Sequence, residues 1–331
     1  MLFFNSMIIG TLITISSYTW FSMWMGLEIN LLSIIPLFKS HKNIYPVEAT
    51  LKYFITQSLA SAIILFIVII SMNMTEFIPH NFNYWLMMIL NSALLTKLGA
   101  APFHSWFPEV MEGLNWINNL ILLTWQKLAP MILIMYNLNM LFFLSTIILF
   151  SSIISGIWGM NQTSLRKIMA YSSINHIAWM LASMLNLNSI WFIYFSIYSL
   201  ISVNIIIIFY YLNTFFLTQL FLTLNSNKLI KMMFMYNFLS LGGLPPFLGF
   251  LPKWLVINNL TENYSYWLSF ILIIFTLITL FYYIRLMFPS LTLNSQELIL
   301  KSSNLTNYKI IMFNIFTLSS LMICTNLFNY F

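Results

Sequence analysis

Residues 84–107 read YWLMMILNSALLTKLGAAPFHSWF, and residues 230–258 read IKMMFMYNFLSLGGLPPFLGFLPKWLVIN. Each is an apolar run long enough to span a bilayer, since about 20 helical residues cross about 30 Å of hydrocarbon. Each is also interrupted. The first carries Pro102 in GAAP, followed by Phe103 and His104, and the second carries Pro245 and Pro246 in GGLPPF. Proline removes a backbone donor and clashes with the preceding turn, so both helices are expected to break in mid-membrane. Irregular backbone at that depth is tolerated only where it is buried in protein or lines a wet cavity. A lysine accompanies each break, Lys97 in the first and Lys253 in the second. An ionisable group inside a bilayer is costly unless it is paired or hydrated, and by default it marks a functional path.

The composition around these two runs agrees. Of 331 residues, 60% are hydrophobic and only 6% are charged, where a soluble domain carries about 25% charged residues. A soluble enzyme, an extended disordered protein and a disulfide scaffold are excluded. The acids are seven Glu with no Asp, and thirteen Lys and Arg give a net charge of +6. The bases are too dispersed to form a nucleic-acid-binding face, so no nucleic acid is expected as a partner. One cysteine, Cys324, and four scattered histidines without an HxxxH pair give no local support for a disulfide, a haem, a zinc or a cysteine-ligated cluster. Neither GxGxxG nor GxxxxGK[ST] occurs, so no nucleotide site is expected. The bias toward Phe, Ile, Met, Asn and Tyr matches AT-rich codons, as in organelle genomes. The N-terminal stretch has no basic region or cleavage site, so no signal or transit peptide is expected.

The spacing of apolar runs predicts an all-α polytopic membrane protein. About eleven transmembrane helices are expected, at 3–22, 23–39, 48–72, 84–107, 114–136, 140–159, 164–184, 188–216, 230–258, 265–288 and 308–329. With these spans, one side of the membrane collects Lys39, Lys42, Arg166, Lys167, Lys228, Lys231, Arg285, Lys301 and Lys309. The other side carries Glu76 and Glu262 and no Lys or Arg. By the positive-inside rule the basic side is the side of synthesis, and it also holds the N-terminus. An odd span count puts the C-terminus on the opposite side.

The broken spans fall fourth and ninth. That position predicts two five-helix inverted repeats, about 1–136 and about 140–288, each with one broken helix, followed by an extra C-terminal helix at about 308–329. Interrupted helices at matching places in two halves are the mark of transporters built this way. Gly and Pro are also common in membrane helices as simple kinks, but two such breaks, each beside a lysine, favour the functional reading.

Sorting the charges by depth leaves Glu28, Lys52, Lys97, Lys127 and Lys253 inside spans. Lys97 and Lys127 are too deep for snorkelling. Lys52 lies at i+4 from Glu48, a spacing that also suits an ordinary surface ion pair. A buried ammonium is disfavoured by its surroundings, and a nearby charge decides whether it keeps its proton. A row of lysines with one glutamate therefore forms a switchable proton relay. His104 and His176 could bridge relay sites, since imidazole titrates near neutrality; each could equally be a packing and hydrogen-bonding residue.

The motifs GLEINLLSIIP, EATLKYFITQ, KLGAAPFHSWFPEV, LLTWQKLAP, NQTSLRKIMAYSSINH and GGLPPFLGFLPKW, from about Gly26 to Trp254, closely resemble the subunit 2 family of mitochondrial respiratory complex I (NADH:ubiquinone oxidoreductase). These are antiporter-like membrane subunits. The resemblance implies a core membrane-arm subunit that moves protons across the mitochondrial inner membrane. Electron transfer from NADH to ubiquinone elsewhere in the complex would drive it. It implies Glu28 paired with Lys97, Lys127 as central relay, Lys253 at the far broken helix, His104 and His176 in the hydrated axis, and a less settled role for Lys52. It implies no cofactor bound by this chain, since NADH, FMN, iron–sulfur clusters and ubiquinone sit in other parts of the complex. The partners implied are other membrane-arm and accessory subunits, lipids, protons and water. The N-terminus would face the matrix and the C-terminus the intermembrane space. Two alternatives stay open. One is a stand-alone cation/proton antiporter, and the other is a structural membrane-arm spacer without its own proton path.

Overall fold

Long runs of Ile, Leu and Phe leave a backbone in lipid no partner but itself, and helices are the local solution. The computed structural model describes residues 1–39, 44–73, 80–138, 140–224 and 228–292, together with Asn314. The chain divides into two compact units, Met1–Ser151 and Ser152–Phe331.

The first unit contains α1 (Leu2–Ser16), α2 (Trp20–Phe38), α3 (Ile44–Asn73), α4 (His80–Leu98), α5 (Trp106–Gly113), α6 (Trp116–Leu123) and α7 (Trp125–Met135). α8 (Leu141–Met160) carries the chain into the second unit. There follow α9 (Leu165–Met184), α10 (Asn188–Leu212), α11 (Leu217–Leu224), α12 (Lys228–Gly242), α13 (Phe250–Glu262) and α14 (Tyr266–Thr292). Among the described residues the β-structure is one isolated bridge, Ser164 to Phe216. Six described segments are long and apolar enough to cross a membrane: Trp20–Phe38, Ile44–Met72, Trp116–Met135, Leu141–Met160, Asn188–Leu212 and Tyr266–Phe288. Leu2–Ser16 and Tyr84–Leu98 are apolar but shorter.

Both expected breaks are present, between α4 and α5 and between α12 and α13. Several boundaries differ from the hydropathy pattern, among them the end of α1 at Ser16 rather than 22 and the start of α3 at Ile44 rather than 48. α2 starts at Trp20 rather than 23, because Thr19 adopts an extended backbone and accepts a bond from the Ser22 N–H at 3.3 Å. Such a hydroxyl cap satisfies a donor that the first turn leaves free. The span at 114–136 is split at Thr124. Its hydroxyl bonds back to the Leu120 carbonyl at 2.8 Å, an arrangement that bends membrane helices. α10 stops at Leu212 with Asn213 left-handed at φ 49°, and α11 occupies part of the expected connection. The expected last span, 308–329, lies outside the described residues apart from Asn314.

In the first unit α1 and α2 touch through glycines. A Cβ on Gly26 would lie 2.6 Å from the Thr14 methyl and 2.9 Å from the Gly10 carbonyl oxygen. Small residues let two membrane helices approach to backbone contact. In the second unit α9 is buried on nearly every side, and α10, α13 and α14 pack on it. That burial explains why α9 can carry Ser172, Ser173, Asn175 and His176, all of which face protein. Gly26→Val overfills the α1–α2 crossing and is expected to cost about 1–3 kcal/mol. Thermal unfolding of the solubilised protein should show a lower midpoint, and an unchanged midpoint would refute the crossing.

Candidate functional site

Each break is made by a glycine. Gly99 takes φ 74° and Gly243 takes φ 81°, a left-handed backbone that L side chains adopt at a cost. The Gly99 N–H bonds to the Thr96 carbonyl at 3.2 Å, and the Ala100 N–H to the Leu95 carbonyl at 3.1 Å. In the same pattern, the Gly243 N–H bonds to the Ser240 carbonyl at 3.0 Å and the Leu244 N–H to the Leu239 carbonyl at 3.3 Å. Both helices therefore end in a Schellman cap, which satisfies carbonyls that a broken helix leaves behind. The prolines come after the stop and prevent its extension. The signal is visible in the sequence: Gly99-x-x-Pro102-Phe103 with Pro108, and Gly243-x-x-Pro246-Phe247 with Pro252, share one register.

In the first unit the cap holds Lys97 in the last turn of α4, buried to 7% exposure. Gln57 of α3 donates to the Lys97 carbonyl at 3.3 Å. A cavity of about 20 Å³ lies beside it, lined by Asn30, Gln57, Lys97, Gln126 and Lys127 among others. That volume suits about one water molecule, and the lining has the polar groups to hold it. The Gln126 amide donates to Asn30 Oδ1 at 3.0 Å and so joins α7 to α2 across the wall. Lys127 is 1% exposed, one turn past the split at Thr124, with its ammonium 5.9 Å from the Phe107 ring centroid. The structure thus brings Lys97 and Lys127 to one cavity. Glu28 is half-buried and within electrostatic reach of Lys97, but no contact ion pair joins the two.

Lys52 lies elsewhere. Its ammonium is 3.0 Å from Glu48 and 2.8 Å from Glu109, with 42% of its side chain exposed. The i+4 pair was legible in the sequence; the pair with Glu109, which ties α3 to α5, was not. His104 is buried in the turn after Gly99, with Nδ1 3.3 Å from the Pro102 carbonyl. Pro102, Pro245 and Pro246 are all exposed.

In the second unit Lys253 reaches back from the first turn of α13 to the end of α12. Its ammonium donates to the Gly242 carbonyl at 2.7 Å and more weakly to that of Leu241 at 3.4 Å. A helix C-terminus carries partial negative charge, so the cap and the ammonium suit each other. His176 lies on α9 with Nδ1 2.9 Å from the Tyr194 hydroxyl. Tyr198, Tyr282 and Tyr283 are buried with it. Among the described residues no three His, Cys, Asp or Glu side chains converge as a metal site.

Two caged lysines at matched breaks, with a third between them in sequence, set this chain beside a known group. Residues 17–279 match the family described as NADH:quinone oxidoreductase/Mrp antiporter, transmembrane. The chain belongs to that family. NADH-ubiquinone oxidoreductase chain 2 of Aedes aegypti is 51% identical over 329 residues, covering 98% of this chain and 96% of the relative. Its counterpart in Anopheles gambiae is 50% identical over 297 residues, covering 89% of this chain and 87% of the relative. Two solved structures share the fold. Respiratory complex I from Thermus thermophilus with bound aureothin matches at TM-score 0.85 and 20% identity, over 96% of this chain and 77% of that one. The Mrp complex from Dietzia sp. matches at TM-score 0.80 and 12% identity, over 97% and 74%. The region shared with the NADH:quinone oxidoreductase/Mrp antiporter family includes all five in-span charges and both caps.

A Cβ on Gly243 would meet the Lys253 side chain at 2.7 Å, and one on Gly99 the Phe107 ring at 3.2 Å. Left-handed backbone adds about 1–2 kcal/mol for an L-residue. Gly243→Ala is therefore expected to lower the melting temperature and to displace the Lys253 ammonium from its carbonyl. A wild-type melting curve together with wild-type proton transport would contradict the cap.

Proposed function

We propose that the chain works as a membrane-arm subunit of mitochondrial NADH:ubiquinone oxidoreductase and translocates protons through Glu28, Lys97, Lys127 and Lys253. The single observation that carries this is the placement of Lys97 and Lys253 at matched helix caps inside a membrane chain of this family. The names of the mosquito relatives support the assignment to the NADH-ubiquinone enzyme. The likeness to antiporter-type neighbours supports the transport reading over a passive spacer. A stand-alone antiporter is less well supported, because relatives half identical over nearly the whole chain carry the oxidoreductase name.

In this reading the chain spans the inner membrane eleven times. Its N-terminus faces the matrix and its C-terminus the intermembrane space, an orientation that the charge asymmetry of the loops supports. The two inverted repeats, about 1–136 and about 140–288, are supported by the common register of the two breaks. The chain itself carries no redox centre. Electrons pass from NADH to ubiquinone through cofactors in neighbouring subunits, and this chain uses the energy released.

The chemistry is proton exchange between amines. A proton leaves one lysine for water and is taken up by the next lysine that has lost its own. The cavity between Lys97 and Lys127 has room for the water this requires. Glu28 sets the balance at Lys97 by its field. His104, buried beside the first cap, serves as an accessory site in the same network. Lys52 and its two carboxylates hold the exposed rim of α3 and α5 together.

Lys127→Met in the assembled complex is expected to slow NADH-driven proton transport about a hundredfold or more, the loss typical of a missing proton-transfer group. Lys52→Met should stay near wild type, since an exposed pair is worth about 0–1 kcal/mol. Unchanged pumping and turnover in Lys127→Met would sink the relay. Proton transport by the isolated chain would favour the stand-alone antiporter.

A further inference from the structure

Helix α4 ends among buried residues, with Leu98, Ala100 and Ala101 all inside the first unit. An ending helix leaves its last four carbonyls without partners from its own backbone. Its Schellman cap fills two of them, those of Leu95 and Thr96, from the Ala100 and Gly99 N–H groups. Two side chains act on the same end. The Trp106 indole N–H donates to the Thr96 carbonyl at 3.0 Å. The Gln57 amide donates to the next carbonyl, that of Lys97, at 3.3 Å. Trp106 and Gln57 are both buried, and a buried carbonyl that loses its donor is costly.

Both donors rest on one face of α3. Tyr53 and Gln57 stand four residues apart, one above the other on that helix. The Tyr53 ring meets the Trp106 ring edge-on, with 5.8 Å between centroids, an arrangement that aromatic pairs favour. Gln57, Trp106 and Lys97 line the same cavity. In the second unit the matching carbonyl, two residues before the cap glycine, is that of Leu241, and it receives the Lys253 ammonium. The first unit puts a neutral amide in that place. Lys97 already brings an ammonium to this last turn, and a second cation beside it would repel it. An amide satisfies the carbonyl without adding charge.

We infer that Gln57 and Trp106 are positioning residues for Lys97. This rests on the relay reading of Lys97 given above. Neither side chain passes a proton. They hold two successive carbonyls in the last turn of α4, one from α3 and one from the start of α5. A helix end held by its cap alone frays; this one is tied to a neighbour on two sides. The backbone that carries Lys97 is thereby fixed in height and in turn, and with it the side chain that lines the cavity. Rate depends steeply on such placement, since a misplacement of about 1 Å costs up to about a hundredfold.

The test uses the assembled complex in sealed membrane vesicles, with NADH oxidation and proton transport read together. Gln57→Leu removes the amide and keeps a side chain of similar bulk. Trp106→Phe keeps a ring against Tyr53 and removes the N–H. Each is expected to slow coupled turnover about tenfold, short of the loss that a full 1 Å misplacement brings. Trp85→Phe, exposed on the same helix as Lys97, should leave turnover unchanged. Positioning acts through Lys97, so Gln57→Leu added to Lys97→Met should slow that variant no further. A further tenfold loss in the double variant marks a packing role and overturns the proposal. Wild-type turnover in both single variants overturns it too. Trp106→Phe, alone and added to Lys97→Met, decides if Gln57→Leu does not assemble. Lys97→Met separates the two ideas. At wild-type speed it defeats the relay reading of Lys97 and the positioning with it, whereas a slow Lys97→Met beside fast Gln57→Leu and Trp106→Phe defeats the positioning alone.

Discussion

An ammonium inside a bilayer must find in the protein the solvation it has lost in water. Lys253 finds it at a helix end. The Gly243 cap stops α12 with two carbonyls pointing past the last turn, and the lysine of the next helix fills that place. Much of the second unit follows from this bond. α12 must end where the carbonyls are needed, and α13 must start close enough for one side chain to reach back. Gly243 must be glycine twice over, for its backbone and for the room Lys253 takes. A buried charge with such a partner is tolerable, while the same charge without one costs several kcal/mol.

The three lysines do not sit in equal fields. Lys97 and Lys253 lie by helix C-termini, where the backbone is partly negative, and Lys127 lies in the first turn of α7, where it is partly positive. The proposed relay needs neighbouring sites that answer differently to the same push, and the alternation of helix ends adds such a difference to the field of Glu28. It also suits a chain with 6% charge, because backbone dipoles do work that acids would otherwise have to do.

Much of the fold was legible because its causes are local. Apolar run length sets a span, and GGLPPF stops a helix wherever it falls. The buried lysines were legible for the opposite reason, as residues that have no place in lipid. The split at Thr124 was hidden, since threonine is ordinary in membrane helices and its effect depends on which carbonyl its hydroxyl finds. The rim pair of Lys52 with Glu109 joins residues 57 apart and could not be seen from spacing. The tyrosines were hidden most completely. Tyr194 and Tyr198 look in sequence like Tyr210 and Tyr211 on the same helix, yet the first two are buried and the last two exposed. With helices apolar on every face, periodicity no longer tells inside from outside.

The matched breaks also show how one device serves two ends. In both, a left-handed glycine stops the first helix and a proline nine residues later opens the second. The residue after that proline is Lys253 in one unit and Glu109 in the other. Lys253 turns inward to the capped helix. Glu109 turns outward to Lys52, at a site more than half exposed. The first unit therefore leaves its cap free of this side chain and places its own lysine before the glycine, in the helix that is being capped. The same backbone then offers its negative end to a lysine from either direction. What the two sequences hold in common is the broken helix, and what they vary is the side from which the charge approaches it.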